Sequence, residues 1–331
     1  MGRATGAMLG LAIGDALGKR TEFMTMAEIG LLHADWRQLP LPKKAQVTDD
    51  TQMTLALARA LRDALAEGPL VPLRFEVPLR AEFVEWWRSP SNNRAPGMTC
   101  LRSCFRLSTG RPWQDASDIG SKGCGANMRV APLGLVRELT DRQVAGAAQL
   151  QSGLTHGHPT ALAASELTAF TVRWLAQGAD PADLPARLRA HAEAQRTRYD
   201  EFWLGDLASR DHFGSPEEFI ARGWQESLRA LDRLDAALAA REHDADPCER
   251  TGAGWVAEEA FATALLCFLL FPDDPVAAVR RAAVSSGDSD SLACLAGAFA
   301  GARHGEGAWP QDWIERIEYR DELLALGALW D

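Results

Sequence analysis

Apolar side chains recur along the chain at the three- and four-residue spacing of helices. Met53, Leu57, Leu61 and Leu65 mark one helix, Phe83, Trp86 and Trp87 an aromatic one, and residues 161–174 another. Leu228, Leu231, Leu234 and Leu238 form a stripe suited to docking on a neighbour. The stretch from Thr251 to Glu259 enters a nearly continuous apolar helix through Phe271, which Pro272 and Pro275 end. A later helix carrying Leu292, Leu295, Ala296 and Phe299 is apolar all round and should be central. Near the start, Gly6, Gly10, Gly14 and Gly18 fall on one helix face, where they either serve simple packing or let another backbone approach closely. Gly297 and Gly301 offer the same close approach. Residues 34–47 and 89–99, rich in proline, asparagine and glycine, read as loops.

Composition supports this reading. The 331 residues are 47% hydrophobic and 24% charged, an ordinary globular balance, with β-branched residues thin. The formal net charge of −10 argues against a sequence-tolerant grip on nucleic acid backbone, though not against a local basic patch for a phosphorylated ligand. Six scattered cysteines show neither zinc spacing nor a secreted disulfide frame, and reduced thiols point to the cytoplasm. Residues 7–17 are too short to span a bilayer, carry Asp15, and lack a basic flank and cleavage site, so they read as a buried helix. No membrane association is expected. Residues 180–250 are the most charged stretch, with Arg187, Arg189, Arg196 and Arg198 followed by acidic loops.

The candidate chemistry lies in two acidic, hydroxyl-flanked tetrads, each at a helix start. They are Thr48-Asp49-Asp50-Thr51 and Asp288-Ser289-Asp290-Ser291. Helix capping by Thr48 or Asp49 accounts for one aspartate but poorly for two. An EF-hand from Asp288 fails, because its sixth and twelfth positions are Ala293 and Phe299. Hard oxygen donors suit Mg²⁺, Mn²⁺ or Ca²⁺ rather than zinc. Gathered together, four carboxylates would repel one another, and a pair of divalent cations about 4 Å apart would cancel that repulsion and clamp sugar hydroxyls or a bridging water.

Between the tetrads, Gly120, Ser121, Lys122, Gly123 and Gly125 form a glycine-rich loop whose N–H groups could hold phosphate oxygens, with Lys122 adding charge. It lacks the Walker arrangement of lysine and hydroxyl. His156 has no companion ligands for zinc and reads as a ligand contact or a helix-entry residue. Gly252 and Gly254 make a tight turn that presents Trp255 to the core or to a ligand ring.

Taken in order, these motifs resemble the ADP-ribosylglycohydrolase family across nearly the whole chain. Gly14 to Gly18 with Glu22-Phe23 is similar to the family opening, and the two tetrads to its metal motifs. Residues 120–132 are similar to its glycine-rich ligand loop, His156 to its ligand-side histidine, and residues 252–256 to the turn flanking the nucleoside. The resemblance implies one all-α, orthogonally packed domain over residues 1–331, with a variable charged insertion at about 180–250. It implies two Mg²⁺ or Mn²⁺ ions held by Thr48, Asp49, Asp50, Asp288, Asp290 and Ser291, with Glu22, Asp49 and Asp288 catalytic. The base remains open among Glu22, Asp118 and a metal-bound carboxylate. Gly120, Ser121, Lys122, Gly123 and Gly125 would hold the pyrophosphate, with His156 and Trp255 nearby. Where family members often end the second motif in threonine, this chain has Ser291, which keeps the hydroxyl. The implied activity is removal of ADP-ribose from a modified protein side chain, most often arginine. The partners would be that protein, ADP-ribose as product and a cognate ADP-ribosyltransferase. The competing readings are a non-enzymatic ADP-ribose binder or toxin-blocking protein, and a generic metal phosphohydrolase.

Overall fold

A computed structural model describes residues 2–211 and 214–331. Every regular element among them is helical, as the spacing of apolar residues predicts, and the only extended pairings are isolated bridges.

The first helix, Arg3–Gly18, lies antiparallel against Ser289–His304, and both are almost wholly buried. The contact is backbone on backbone. A methyl group built on Gly10 would stand 2.2 Å from the Gly297 carbonyl oxygen, and one on Gly297 would stand 2.0 Å from that of Gly10. Gly6 and Gly301 face each other in the same way, Gly14 meets the Ala293 carbonyl, and Gly18 meets that of Ser289. The four-residue glycine spacing therefore serves close approach along the full contact, with no room for a Cβ. Around this pair pack Asp49–Ala66, Pro159–Ala176, Ala257–Leu270 and Pro275–Ala283, whose apolar residues form one continuous core.

The charged stretch at 180–250 carries its own share of that core. Its long helix Pro216–Ala240 buries Phe219, Ile220, Trp224, Leu228, Leu231 and Leu234 and packs on Pro159–Ala176 and Ala257–Leu270. Gly223 permits the contact, since a methyl there would stand 2.1 Å from the Pro159 carbonyl oxygen. The arginines and acids occupy the opposite face, in ion pairs such as Arg189 with Asp232 and Asp235. No helix among the described residues is long and apolar enough to cross a membrane. All six cysteines are buried and unpaired.

Gly10→Ala should cost about 3 kcal/mol of unfolding free energy, because only a backbone shift can relieve the overlap. Gly30→Ala is the matched control: it lies in the helix Met26–Leu32 with nothing within 4 Å of an added methyl, and should be neutral or stabilise by about 0.5–1 kcal/mol. Urea unfolding of the two variants checks the contrast.

Candidate active site

The glycine contact decides where the chemistry falls, because it sets the C-terminal end of Arg3–Gly18 beside the N-terminal end of Ser289–His304. The junction is tied by hydroxyls. Ser289 Oγ donates to the Gly18 carbonyl at 2.9 Å, and Thr21 Oγ1 lies 3.1 Å from Ser289 Oγ and also donates to the Ala283 carbonyl. Four residues past Gly18, Glu22 meets the second tetrad. One oxygen from each of Glu22, Asp288 and Asp290 lies within 4.8 Å of the others.

The first tetrad is brought in by Asp15, a residue that sequence reasoning missed. Its fully buried carboxylate accepts the Thr48 N–H at 2.9 Å, the Thr51 N–H at 3.1 Å and the Thr51 hydroxyl at 2.5 Å. Thr48 itself is the N-cap of Asp49–Ala66, accepting the Asp50 N–H at 3.4 Å. Capping therefore accounts for Thr48, and Asp15 accounts for Thr51. Neither accounts for the buried pair between them. Asp50 Oδ2 is buried with no hydrogen-bond partner among the described residues. The signal for Asp15 was present in the sequence as the one acid inside an otherwise apolar, glycine-spaced helix.

A turn on the far side supports the second tetrad. Gly252 and Gly254 adopt φ of +111° and +82°, and the Ala253 carbonyl between them accepts the Asp288 N–H at 2.8 Å. A side chain at Gly287 would collide with that carbonyl, at 1.9 Å. The same turn joins the glycine loop: Cys124 N–H donates to the Trp255 carbonyl at 3.2 Å and Ala257 N–H to that of Lys122 at 2.9 Å.

These pieces surround a cavity of about 340 Å³, within the range of small-molecule sites. Glu22, Asp49, Asp50, Asp288, Asp290 and Ser291 line one side, and Gly123, Gly125 and His156 the other. At the mouth Phe23 and Trp255 stack with centroids 5.5 Å apart and planes 17° apart, although they are 71% and 44% exposed. Phe23, at φ of +65°, was not foreseen as a site residue. Ser291 is buried, and its hydroxyl points toward Met128 Sδ at 3.9 Å.

Several loop residues sit elsewhere. Lys122, expected to add charge for a phosphate, is held by Glu226 at 2.8 Å and Glu258 at 2.5 Å, and does not line the cavity. Its charge is consumed by those two carboxylates. Gly120 and Ser121 also stand back from the cavity, the Ser121 hydroxyl lying 3.0 Å from that of Thr99, which does line it. Asp118, one of the possible bases, uses its carbonyl to accept the Gly157 N–H at 3.0 Å, and its nearest cation is Arg102 at 3.9 Å. It too lies outside the cavity lining. A larger cavity of about 640 Å³ opens between Asp141–Gly153, Pro159–Ala176 and Leu184–Gln195. Its buried carboxylate, Glu166, is already satisfied by His191 at 2.7 Å and Gln149 at 2.5 Å, so it lacks the clustered acids of the smaller cleft.

The electrostatics of the acidic cleft are one-sided. Burial, then Asp290, raises Asp15 to about 7, and burial, Asp290 and Asp49 raise Glu22 to about 9. Asp49, Asp50 and Asp288 are pushed up by the same causes, burial first. Across the cavity His156 is buried and pushed down to about 3, by burial and then by the Arg129 charge. Converging oxygen donors, an orphaned buried carboxylate oxygen and uncompensated negative charge together fit a hard divalent cation, with Glu22, Asp288 and Asp290 able to hold it.

The fold and site thus define an all-α domain with an acidic, cation-suited cleft between a glycine loop and an aromatic mouth. Comparison with known proteins gives this class its family. The family model described as ADP-ribosylglycohydrolase matches residues 1–331, and the chain belongs to that family. It is 27% identical to the ADP-ribosyl-[dinitrogen reductase] glycohydrolase of Rhodospirillum rubrum, covering 99% of this chain and 97% of that one. It is 25% identical to an ADP-ribosylarginine hydrolase of Pseudomonas putida, covering 98% of this chain and 76% of the relative. A solved structure described as an ADP-ribosylglycohydrolase-related protein complex superposes with a TM-score of 0.66 at 26% identity, covering 98% of this chain and 95% of that one.

For Asp15 and Glu22 the folded protein favours the protonated form, since both are raised above their ordinary values of 3.8 and 4.5. The stability they contribute is full below those ordinary values and is lost as pH rises through about 7 and about 9. In chelator, the melting temperature should therefore fall between about pH 5 and about pH 9, and Glu22→Gln should flatten the upper part of that fall. An unchanged slope in Glu22→Gln would show that the carboxylate does not carry the strain.

Proposed function

We propose that this chain is a divalent-cation-dependent hydrolase that removes ADP-ribose from a modified protein side chain, with arginine as the modified residue. The observation that carries the reading is the convergence of Glu22, Asp49, Asp50, Asp288 and Asp290 on one cleft, opposite a glycine loop and a neutral histidine. Family membership supports glycohydrolase activity. The choice of arginine draws on the hydrolase of Pseudomonas putida, whose name specifies ADP-ribosylarginine.

In this reading Thr48, Asp49, Asp50, Asp288, Asp290 and Ser291 hold two Mg²⁺ or Mn²⁺ ions, and Glu22 stands beside them at the reacting ribose. When bound, the cations neutralise the carboxylates and polarise the sugar oxygens they touch. The chain's own residues do the rest. Gly123, Gly125 and His156 face the side of the cleft where the pyrophosphate lies. Phe23 and Trp255 offer ring faces at the mouth for the base, the geometry in which aromatic groups attract one another. The bond between C1″ of the ribose and the guanidinium nitrogen breaks. Water supplies the oxygen that replaces it, one of its protons passes to the departing nitrogen, and Glu22, Asp49 and Asp288 are the carboxylates placed to relay that proton.

Because these carboxylates are raised, cation binding must expel protons. Titrating MgCl₂ or MnCl₂ into metal-free protein in weak buffer at pH 7 should acidify the solution, and Asp50→Asn should lose most of the tight cation binding while retaining the helical circular dichroism of the parent. Hydrolysis is tested on ADP-ribosyl-arginine, ADP-ribosyl-serine and ADP-ribosylated nucleic acid, each with metal and with chelator. Release of ADP-ribose from the arginine linkage with metal alone is expected, with Asp50→Asn slower by at least about a hundredfold. Binding of ADP-ribose without release from any linkage would turn the reading toward a non-enzymatic binder.

A further inference from the structure

Three side chains run in series back from the cavity wall, His156 in the wall and Thr155 and Arg129 behind it, all fully or almost fully buried. Arg129 has no ion-pair partner among the described residues. Its guanidinium lies 4.3 Å over the Phe83 ring. Nε donates to Gln151 Oε1 at 2.8 Å, and Nη2 donates to the Gln151 carbonyl and to Thr155 Oγ1, both at 2.8 Å. Gln151 is itself oriented, since its Nε2 donates to the Ala126 carbonyl at 2.9 Å.

A guanidinium can only donate, so Thr155 Oγ1 accepts from Arg129 and has one proton left to place. Two acceptors are within reach: His156 Nδ1 at 2.8 Å and the Ser152 carbonyl at 3.5 Å. The Ser152 carbonyl already accepts the His156 N–H at 2.7 Å and the Thr155 N–H at 3.0 Å. Its lone pairs are taken, and its distance to the hydroxyl is at the limit of a hydrogen bond. The Thr155 proton therefore goes to His156 Nδ1, and in a neutral ring the remaining proton must sit on Nε2. That nitrogen faces the glycine loop. It would stand 3.3 Å from a methyl group on either Gly123 or Gly125, and both glycines line the cavity with His156. Burial and the adjacent Arg129 charge oppose protonation of the ring, which agrees with a neutral imidazole.

We propose that Arg129 and Thr155 are positioning residues that lock His156 as the Nε2–H tautomer, a neutral hydrogen-bond donor aimed at an oxygen acceptor in the cleft. The acceptor, a phosphate or ribose oxygen of ADP-ribose, rests on the function proposed above; the tautomer does not. One consequence is chemical. With Nε2 protonated and Nδ1 engaged by Thr155, His156 has no free lone pair for a metal, so the cation chemistry stays with the carboxylates.

The test is the tautomer itself, read in ligand-free protein. In ¹⁵N-histidine-labelled protein at pH 7, long-range ¹H–¹⁵N correlation should show the His156 ring as Nε2–H, the signal being assigned by its loss in His156→Asn. Thr155→Val should release the ring to the Nδ1–H form or to a mixture, and Thr155→Ser should restore the parent pattern. In calorimetry with ADP-ribose, Thr155→Val should bind about tenfold more weakly and Thr155→Ser close to the parent. A parent ring found as Nδ1–H or imidazolium overturns the proposal, and so does a Thr155→Val ring that stays Nε2–H. Should the valine variant fail to fold, the parent spectrum still decides. If ADP-ribose does not bind the parent at all, the proposed function falls while the tautomer result stands.

Discussion

The approach of Arg3–Gly18 to Ser289–His304 is the constraint on which the rest depends. Two helices this close leave no room for a Cβ where the carbonyl of one meets the Cα of the other, so glycine is required at Gly6, Gly10, Gly297 and Gly301. The reward is registration. With backbone against backbone at these glycines, the helices cannot slide without collision, and the end of one is held against the start of the other. Asp15, Glu22, Asp288 and Asp290 meet because of this register. Asp15 and Glu22 are separated from Asp288 and Asp290 by most of the length of the chain.

What meets there is unfavourable on its own. Five carboxylates line the cleft with a sixth, Asp15, directly behind, and among the described residues no lysine or arginine is paired with any of them. Lys122 is turned to Glu226 and Glu258, and the Arg129 guanidinium is spent on Gln151 and Thr155. A protein selected only for stability would not keep such an array, so local conflict within an otherwise consistent core points to function. The surroundings are arranged to hold the conflict in place. Asp15 grips the start of Asp49–Ala66 through two backbone N–H groups and a hydroxyl, and the Gly252–Gly254 turn grips Asp288 through the Ala253 carbonyl.

Much of this was legible in advance because it is carried by local pattern. Helical periodicity announced the all-α class, and the apolar-all-round segment around Leu292–Phe299 announced the central helix. Two acidic tetrads at helix starts announced paired carboxylates, since capping needs one aspartate and they have two. Other features were misread for physical reasons. Lys122 beside three glycines suggests a phosphate contact, but a flexible four-carbon chain goes where the nearest carboxylates are, here the part-exposed Glu226 and the buried Glu258. Within the charged stretch at 180–250, the leucine stripe read as a docking face is the face that Pro216–Ala240 buries at Leu228, Leu231 and Leu234.

By itself the sequence determined the all-α class, several of its helices and which segments carry hard oxygen donors, because those properties depend on neighbours within a turn or two. It could not say that Gly10 meets Gly297, that Asp15 accepts hydrogen bonds from the start of a helix 34 residues later, or that Arg129 donates to Thr155. These depend on distances between residues far apart in the chain, which only packing sets. Tertiary structure also decided the protonation states, since burial and opposing charge, not residue type, raise Glu22 and lower His156.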